Sequence, residues 1–475
     1  MGCKLGKEFV IFLCMSASGE IIDLAPPETL PNFGPERAVH GAFFHLVRPD
    51  VEGVALDIVY PGSDEAIRYG DYSVDDALVP VMTIRDRAAA RTILTASTTK
   101  GPARGVGELY MDGEVDFVHR DPAVTPTRAA KAAITAIGAT TDTSSPWYHR
   151  LADARGAVHG VQRRLDAYTR RFGLPLMESN KPEDHYDPGD RIIELFVDPT
   201  GTYSCAIFPD NPEEATLEQA QRAKIDLMWR KADTQDGDHV LDIGCGDGEA
   251  LVQLAKEHEN VTGVGVTRSE EQAKAARAKI AEAGLQDRLK IIVKDFKELA
   301  EEPDHAGVYD RIISIGMFEH VGREHHLTYM RAIRQMMKDD GVSALHTIVK
   351  HNNNPMNGWI RVHAFPGGDL PTNAGVNDAA MHAGLVVVDQ QDRTLDYEET
   401  LDRWGDNFEA QIEEVRRIVG GDEREVRRWR LYLASSSAFF RIGRIGLSQF
   451  VITGAGNRNR PRNRGTRMIE YPNAA

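Results

Sequence analysis

A carboxylate and an imidazole follow directly on an apolar run in the second half of the chain. Residues 311–318 read RIISIGMF, which is typical of a buried strand, and Glu319 and His320 come next. A carboxylate in such a position is costly to bury unless a charged or hydrogen-bonding group meets it. We therefore expect Glu319 to have a partner or a ligand at the end of this strand.

A glycine-rich loop follows an earlier strand. Residues 241–250 read LDIGCGDGEA, in which Gly244 and Gly246 let the backbone turn sharply and approach a ligand closely. Asp242 precedes these glycines, whereas a dinucleotide fingerprint keeps its acid about 20 residues downstream. The loop also lacks the GKS or GKT of a phosphate-binding P-loop. The pattern therefore argues against both of these ligand classes.

Polar residues close the next two strands along the chain. Thr267 stands where a dinucleotide-binding protein would carry a ribose-binding acid, and Asp295 is placed to meet a polar base edge. Ligands of open α/β sheets bind at the carboxyl ends of the strands, so we expect these residues and the glycine loop to share one site. The combination resembles the S-adenosylmethionine (SAM) methyltransferases of Rossmann-like fold.

The elements that must position these residues alternate between strand and helix from about residue 180 onwards. Strands are predicted at 239–244, 261–266, 289–296, 309–318 and 341–349, and helices at 249–259, 269–284 and 327–338. This alternation predicts an α/β fold with a parallel sheet that helices cover on both faces. Residues 38–120 show short apolar runs separated by Gly, Pro and Asp, which predicts the strands and turns of a smaller N-terminal α+β domain.

Length and composition set the domain organisation and exclude some functions. We expect an N-terminal tail (1–37), an α+β lipid-binding-like domain (38–123), a helical linker (124–184), a catalytic domain (185–456) and a basic tail (457–475). The net charge of −16 argues against nucleic-acid binding. The four cysteines are far apart with no CxxC pair, which fits neither a disulfide framework nor a zinc site and suits a reducing cytoplasm.

The first residues carry a short apolar run, EFVIFLCMSA (8–17), behind two lysines. It is shorter than the roughly 18 apolar residues of a spanning helix, and no other run approaches that length. Export, or a lipoprotein anchor at Cys14, is one interpretation. A start of translation at Met15 is another, and the sequence does not decide between Met1 and Met15.

Several stretches together resemble the cyclopropane-fatty-acyl-phospholipid synthase family, which includes the mycolic acid methyltransferases. They are HYDPGDRIIELFVDPTGTYSCAIF (185–208), VLDIGCGDG, GVTRSEEQ (265–272), GMFEHVG (316–322), LHTI (345–348), FPGGDLP (365–371), DYEETLDRWGDNF (396–408) and WRLYLASSSAFFRIGRIGLSQFV (429–451). The resemblance covers about 185–452 and extends more weakly to GVGELYMDGEVD (105–116). It implies SAM-dependent alkylation of the double bond of an unsaturated fatty acyl chain.

The resemblance also implies a set of residues around a bicarbonate ion. The matching side chains are Cys205, Glu319, His346 and Tyr397, with a backbone contact beside Ile348. Taken singly, Glu319 could cap a helix start and the other side chains could be ordinary core residues. Only their joint occurrence, each within its own motif, predicts the anion site.

Further residues are implied for SAM. They are Tyr203 and Ser204 in a lid segment, Asp242, Gly244 and Gly246 near the amino-acid moiety, Thr267, Arg268 and Gln272 beside the adenosine, and Asp295 and Phe296 near the adenine. The nearby histidines His320, His325 and His326 are interpreted as solvated rather than metal-binding.

The implied chemistry explains why such residues are needed. The sulfonium of SAM is a strong electrophile, and methyl transfer to an alkene leaves a carbocation on the acyl chain. The cation needs a dry pocket, a fixed negative partner and a base. Proton loss from the new methyl closes a cyclopropane ring, whereas loss from a neighbouring carbon leaves a methyl- or methylene-branched chain.

Some positions depart from the family pattern. Asp247 and Glu249 replace the usual Trp and Gly of the loop, Asp190 replaces an Asn, and Ile207 replaces an aromatic residue. Two alternatives therefore stay open. One is a small-molecule N-methyltransferase, and the other is a catalytically inactive SAM- or lipid-binding module.

The expected acceptor is an acyl chain of a membrane phospholipid, because the N-terminal domain matches the longer, phospholipid-acting type of the family. Residues 457–467 hold five arginines, which would attract anionic head groups. We expect a cytoplasmic protein that docks peripherally on the membrane, with a solubilising tail as the alternative role of this segment. The sequence leaves the oligomeric state open, a homodimer included.

Overall fold

The computed structural model describes residues 55–61, 66–70, 73–85, 88–89, 102–140, 188–351, 358–364 and 369–458. The chain divides into two compact units: residues 1–124 and 132–191 form the first, and 125–131 and 192–475 form the second. The apolar run at 8–17 and the arginines after Arg458 lie outside the described residues. Among the helices that the structure describes, none has the length and apolar character needed to cross a bilayer.

The first unit contains a four-stranded sheet in the order β2–β1–β3–β4. Its elements are β1 (Ala55–Val59), β2 (Ala66–Gly70), β3 (Pro80–Ile84), α1 (Pro102–Met111) and β4 (Val115–His119). Residues 105–111 (GVGELYM) lie in the region 38–120, for which strands and turns were predicted, but they form the end of α1, so this part of the prediction was wrong. Its apolar residues Val106, Leu109 and Tyr110 follow the three- and four-residue spacing of a helix face.

The second unit is built on a seven-stranded sheet in the order β10–β11–β9–β8–β5–β6–β7. The strands are β5 (His239–Ile243), β6 (Thr262–Thr267), β7 (Leu289–Val293), β8 (Tyr309–Ile315), β9 (Met337–Lys350), β10 (Leu385–Asp392) and β11 (Ile445–Gly454). The helix α2 (Pro126–Thr140) begins in this unit. The later helices are α3 (Pro188–Phe196), α4 (Leu217–Lys231), α5 (Glu249–Glu257), α6 (Glu270–Glu282), α7 (Phe296–Glu301), α8 (His326–Met336), α9 (Gly358–His363), α10 (Asn373–His382), α11 (Thr394–Ala410), α12 (Ile412–Ile418) and α13 (Glu423–Arg441).

The strand order confirms the predicted α/β, Rossmann-like fold. Five strands lie side by side in the order β7–β6–β5–β8–β9, and each pairs in parallel with its neighbour. The strand β11 runs antiparallel to both β9 and β10. The chain passes outward from β5 through β6 to β7 and then crosses back to β8 on the other side of β5. The carboxyl ends of β5 and β8 therefore meet at the point where the strand order reverses, which is where such sheets bind ligands.

Two apolar clusters fix the sheet against its helices. One includes Leu241 of β5 with Tyr329 and Ile333 of α8, and the other includes Val240 of β5 with Leu251 of α5. Successive residues of β5 thus face opposite layers, as expected for a strand buried on both faces. The helix layers hold the strand ends, and the loops that follow them, in fixed positions.

Candidate active site

The glycine loop and the turn after β8 touch each other at the reversal point. Gly244 has φ +83°, and a Cβ on it would lie 2.7 Å from the side chain of Met317. Any larger residue at this position would force the two segments apart. The glycine therefore serves both the turn of the backbone and the close approach of the two loops.

The end of β6 carries two of the expected SAM residues in mutual contact. Thr267 is buried, and its Oγ1 donates a hydrogen bond to Oε1 of Gln272 at 2.8 Å. Ser269 caps α6 by accepting from the backbone N of Gln272, which fixes the helix start next to the strand end. Arg268 differs from this pair because its side chain is 82% exposed, with Asp295 Oδ2 4.0 Å from its Nε.

Asp295 and Phe296 have separate local roles after β7. Asp295 caps α7 by accepting a hydrogen bond from Lys297 N at 3.0 Å, and its side chain stays partly exposed. Phe296 is buried and packs edge-on against Tyr329, with ring centroids 5.2 Å apart. The structure thus leaves Asp295 as the more accessible of the two at the strand end.

The lid segment, residues 203–208, is held by hydrogen bonds to two helices. Gln221 on α4 donates to the carbonyl oxygen of Ser204 at 2.7 Å. Thr400 on α11 accepts from the backbone N of Ala206 at 3.0 Å. Because each contact uses a backbone group of the lid, the lid path is fixed independently of most of its side chains.

The side chain of Tyr203 adds an aromatic anchor to this segment. Its ring stacks on Trp404 with centroids 5.1 Å apart, and its hydroxyl shares a 2.7 Å hydrogen bond with the hydroxyl of Tyr432. Cys205 follows it and is fully buried, with Sγ donating to the carbonyl oxygen of Ala206 at 3.0 Å. Burial raises the pKa of Cys205 well above its usual range, so the thiol keeps its proton.

Glu319 lies in the short turn Phe318–His320 after β8 and is 8% exposed. Its Oε2 accepts a hydrogen bond from Thr347 Oγ1 at 2.9 Å, and its Oε1 accepts a longer one from Ile348 N at 3.5 Å. Burial raises the pKa of Glu319, although His320 and these hydrogen bonds oppose the shift. The partners expected for this carboxylate are therefore mainly neutral groups of β9.

His346 lies on β9 and is 1% exposed. Gln449 on β11 donates from its amide nitrogen to Nδ1 at 3.1 Å, while Nε2 has no hydrogen-bond partner among the described residues. Burial lowers the pKa of His346 well below its usual range, and the charge of Lys224 lowers it further. The ring is therefore neutral, with its proton on Nε2.

Tyr397 projects from α11, with its ring 4.6 Å from that of Phe440 between centroids. Burial raises the pKa of Tyr397 well above its usual range, and Tyr432, Cys205 and Glu319 raise it further. Tyr397 therefore lies within the electrostatic influence of two other members of the expected anion site. Its hydroxyl keeps its proton at neutral pH.

The four expected side chains thus come from four separate segments and share one electrostatic property. In each of the four groups the pKa shift favours the uncharged form of the side chain. In its uncharged form, each of these side chains carries a hydrogen. The members are Cys205, Glu319, His346 and Tyr397.

Two residues of this region were missed in the sequence. Lys224 on α4 is fully buried, and its Nζ donates to Ser204 Oγ at 2.7 Å. A signal was present, because Lys224 falls on the buried stripe of α4 together with Leu217 and Met228. Gln449 carried no local signal, since it is one polar residue within an apolar strand.

Asp242 is 2% exposed at the end of β5. Burial raises its pKa to about 7, and Lys224 opposes this shift. In the loop that follows, the two acidic residues that depart from the family pattern, Asp247 and Glu249, form ion pairs. Lys279 Nζ lies 2.6 Å from Asp247 Oδ2 and 2.8 Å from Glu249 Oε2, and Arg222 Nη1 lies 3.3 Å from Glu249 Oε1, so two cations balance the two carboxylates.

One interpretation of the nearby histidines was wrong. His320 and His325 are exposed, but His326 is 5% exposed and stacks on Phe318 with centroids 4.5 Å apart. The helix period places His326 on the buried face of α8 together with Met330. Within the described part of the chain, no group of three or more His, Cys, Asp or Glu residues could hold a metal ion.

Known proteins resemble this chain in sequence and fold. The profile of the mycolic acid cyclopropane synthetase family matches residues 176–450, more than half of the chain. A probable fatty acid methyltransferase of Pseudomonas putida is 34% identical over 275 residues, which are 56% of this chain and 67% of that protein. Tuberculostearic acid methyltransferase UfaA1 of Mycobacterium tuberculosis is 34% identical over 279 residues, and the match spans 63% of its length and 56% of this chain.

Solved structures agree with the sequence matches. Mycolic acid cyclopropane synthase CmaA1, in complex with SAH and CTAB, is 33% identical and superposes with a TM-score of 0.51 over 58% of this chain and 99% of its own. Coclaurine N-methyltransferase superposes with a TM-score of 0.52 over 73% of this chain and 97% of its own at 19% identity, which shows a shared fold alone. The chain belongs to the mycolic acid cyclopropane synthetase family of SAM-dependent methyltransferases.

Proposed function

We propose that this protein transfers the methyl group of SAM to the double bond of an unsaturated acyl chain in a phospholipid. The product is a cyclopropane or a methyl- or methylene-branched fatty acyl chain. One observation carries the proposal: His346 is buried on β9 with Nε2 lacking a hydrogen-bond partner among the described residues, and burial favours the uncharged form of Cys205, Glu319, His346 and Tyr397 alike. A group of uncharged polar side chains suits an anion, and such an ion would serve as the base.

A bicarbonate ion fits this set of donors. His346 Nε2 is a buried polar atom without a partner among the described residues, and it would be costly to leave unsatisfied. Tyr397 would supply a further hydrogen, and Cys205 and Glu319 would line the ion, because a buried anion requires several polar contacts. When bound, bicarbonate would provide the proton acceptor that the reaction requires.

Aromatic side chains would keep water from the reacting carbon. Tyr397 packs on the buried Phe440 and lies edge-on to the fully buried Trp404. An apolar lining excludes water from a carbocation, and the faces of aromatic rings also attract cations. These residues would therefore guide the cation towards proton loss rather than hydration.

SAM supplies the electrophilic methyl group on its sulfonium. For its part, the chain offers the positive-φ glycines Gly244 and Gly246, with open space beside Gly246, and the paired side chains of Thr267 and Gln272. Asp247 and Glu249 are paired with Lys279 and Arg222, so they add no unpaired charge to the loop. This supports an active enzyme over the inactive module.

A phospholipid acceptor is favoured by the length of the chain. The match to the CmaA1 structure spans 99% of that chain but only 58% of this one. The remainder of this chain is therefore long enough to form an additional unit. The four-stranded sheet of the first unit belongs to that additional part. We further propose that residues 457–467 help dock the protein peripherally on anionic lipid.

The test is mass spectrometry of lipids after the protein is incubated with SAM and vesicles of unsaturated phospholipid. A gain of one CH2 unit on the acyl chain is expected, and resistance of the product to mild hydrogenation identifies the ring. Glu319→Gln is the matched control, because it removes the acid and keeps an acceptor for Thr347. Methylation of amines without any lipid product would instead support the N-methyltransferase alternative, and SAM binding without turnover would support the inactive module.

A further inference from the structure

Lys224 is a buried cation that lacks an acidic partner. It is 0% exposed, and its Nζ donates to Ser204 Oγ at 2.7 Å. Among the residues that the structure describes, no carboxylate lies within ion-pair distance of this nitrogen. Lys231, seven residues further along α4, offers a direct comparison, because it is 6% exposed and its Nζ lies 3.2 Å from Asp389 Oδ2.

A lone buried ammonium group is energetically unfavourable. Burial of a charge is costly unless it is paired and hydrogen-bonded, and a hydroxyl brings no opposite charge. The ammonium has three hydrogens, and Ser204 accepts only one of them. Burial lowers the pKa of Lys224 to about 8, and Asp198, Asp242 and Asp247 oppose this shift from beyond ion-pair distance, so the group is still mostly charged at neutral pH. The structure thus holds a positive charge with donors to spare.

The surroundings of Lys224 place this charge inside the active site. Its charge acts on Cys205 and His346 of the expected anion site, lowering the pKa of each. It also acts on Asp242, which precedes the glycine loop. Lys224 therefore contacts one residue expected to hold SAM, Ser204, and its charge reaches residues expected to hold the anion.

We propose that Lys224 and Ser204 together bind a carboxylate-type anion in the active site. Lys224 supplies the positive charge. Because Ser204 Oγ accepts a hydrogen bond from Lys224, the hydroxyl hydrogen of Ser204 is left to donate to the same anion. Two sources share this chemistry: the carboxylate of the methionyl part of SAM, and bicarbonate. The second source rests on the proposed function, whereas the first rests only on the family.

Calorimetric titration of full-length Lys224→Met with two ligands tests the first source. S-adenosylhomocysteine carries the carboxylate, and 5′-methylthioadenosine lacks the whole amino-acid part. Loss of a charged hydrogen bond should weaken S-adenosylhomocysteine binding about 10- to 100-fold. Binding of 5′-methylthioadenosine should stay within about twofold of the wild type. Lys231→Met is the matched control and should bind both ligands as the wild type does.

Bicarbonate is tested in buffer depleted of carbon dioxide. If S-adenosylhomocysteine binding is unchanged in Lys224→Met, the bicarbonate concentration for half-maximal lipid alkylation should rise at least about tenfold. Unchanged values in both experiments would overturn the proposal, and so would an equal loss of affinity for both nucleosides. A third outcome separates this inference from the proposed function. If Lys224→Met binds S-adenosylhomocysteine more weakly than the wild type does, but the wild type alkylates no lipid, the proposed function is refuted and this inference stands.

A thermal melt without ligand separates binding from a purely structural role. Removal of a buried charge that has no ion-pair partner should leave the melting temperature unchanged or raise it. The reason is that a residue kept for ligand binding often lowers the stability of the folded protein. Lys224→Gln, which can still donate to Ser204 without a charge, is the second variant if Lys224→Met does not fold. A large drop in melting temperature for both variants would show that Lys224 is structural and would overturn the proposal.

Discussion

The side-chain amide of Gln449 donates to Nδ1 of His346 across 3.1 Å. The two residues lie directly opposite each other on the antiparallel strands β11 and β9. With the amide nitrogen of Gln449 towards the ring, Nδ1 accepts the hydrogen bond, which assigns the ring proton to Nε2. Strand pairing thus decides which imidazole nitrogen can serve a ligand.

Gln449→Leu should impair alkylation while leaving SAM binding intact. Loss of a partner that orients an active-site imidazole typically costs about 10- to 100-fold in activity. Nitrogen-15 NMR of labelled histidine should show the Nε2–H tautomer in the wild type and a mixture in the variant. Ser448→Ala, on the neighbouring buried position, should keep both activity and tautomer. Unchanged activity in Gln449→Leu would contradict the assigned role.

Glu319→Gln distinguishes an active-site acid from a helix cap. If Glu319 serves the reaction, kcat should fall about 100-fold or more, with S-adenosylhomocysteine affinity unchanged. If it only caps the turn, activity should persist and the free energy of unfolding should fall by about 1 kcal/mol. Measurement of kcat together with urea unfolding decides between these outcomes.

His326 should make stability depend on pH in the acidic range. Burial lowers its pKa to about 4 from 6.5, so between these values the unfolded chain binds a proton that the folded chain excludes. The free energy of unfolding should therefore fall as the pH drops from about 6.5 towards 4, and it should be insensitive to this residue above 6.5.

His326→Phe keeps a ring against Phe318 but cannot be protonated. Urea unfolding at pH 7 and pH 5 should show a smaller loss of stability in this variant than in the wild type. His325→Gln, which changes an exposed neighbour, should keep the slope of the wild type. Equal slopes for all three proteins would show that His326 does not contribute.

Removal of residues 459–475 should weaken binding to anionic vesicles. The cut spares Asn457, which donates to Thr453 Oγ1 at 2.8 Å and so belongs to the end of β11. The segment carries four arginines, and each is worth about 1 kcal/mol near an anionic surface, so affinity at low salt should fall at least about tenfold. Co-sedimentation with anionic and zwitterionic vesicles measures this. Equal binding of the two proteins to anionic vesicles would reject the docking role.

The sequence by itself determined the parts that depend on local pattern. The alternation of strand and helix predicted the Rossmann-like unit, and Ser269 correctly marked the start of α6. These signals are local because helix and strand periods, caps and glycine turns are each set within a few residues. The same motifs gave the expected site residues, whose roles stay predictions.

Only the tertiary structure decided which groups are buried and which groups meet. Gln449 reaches His346 over 103 positions of sequence, and Glu319 finds Thr347 over 28. The helix period places Lys224 and His326 on the apolar faces of their helices, but only helix packing shows that they are removed from water. The physical reason is that burial, and with it the direction of each pKa shift, depends on contacts made across the sheet and its helix layers. No single stretch of sequence contains both partners of such a contact.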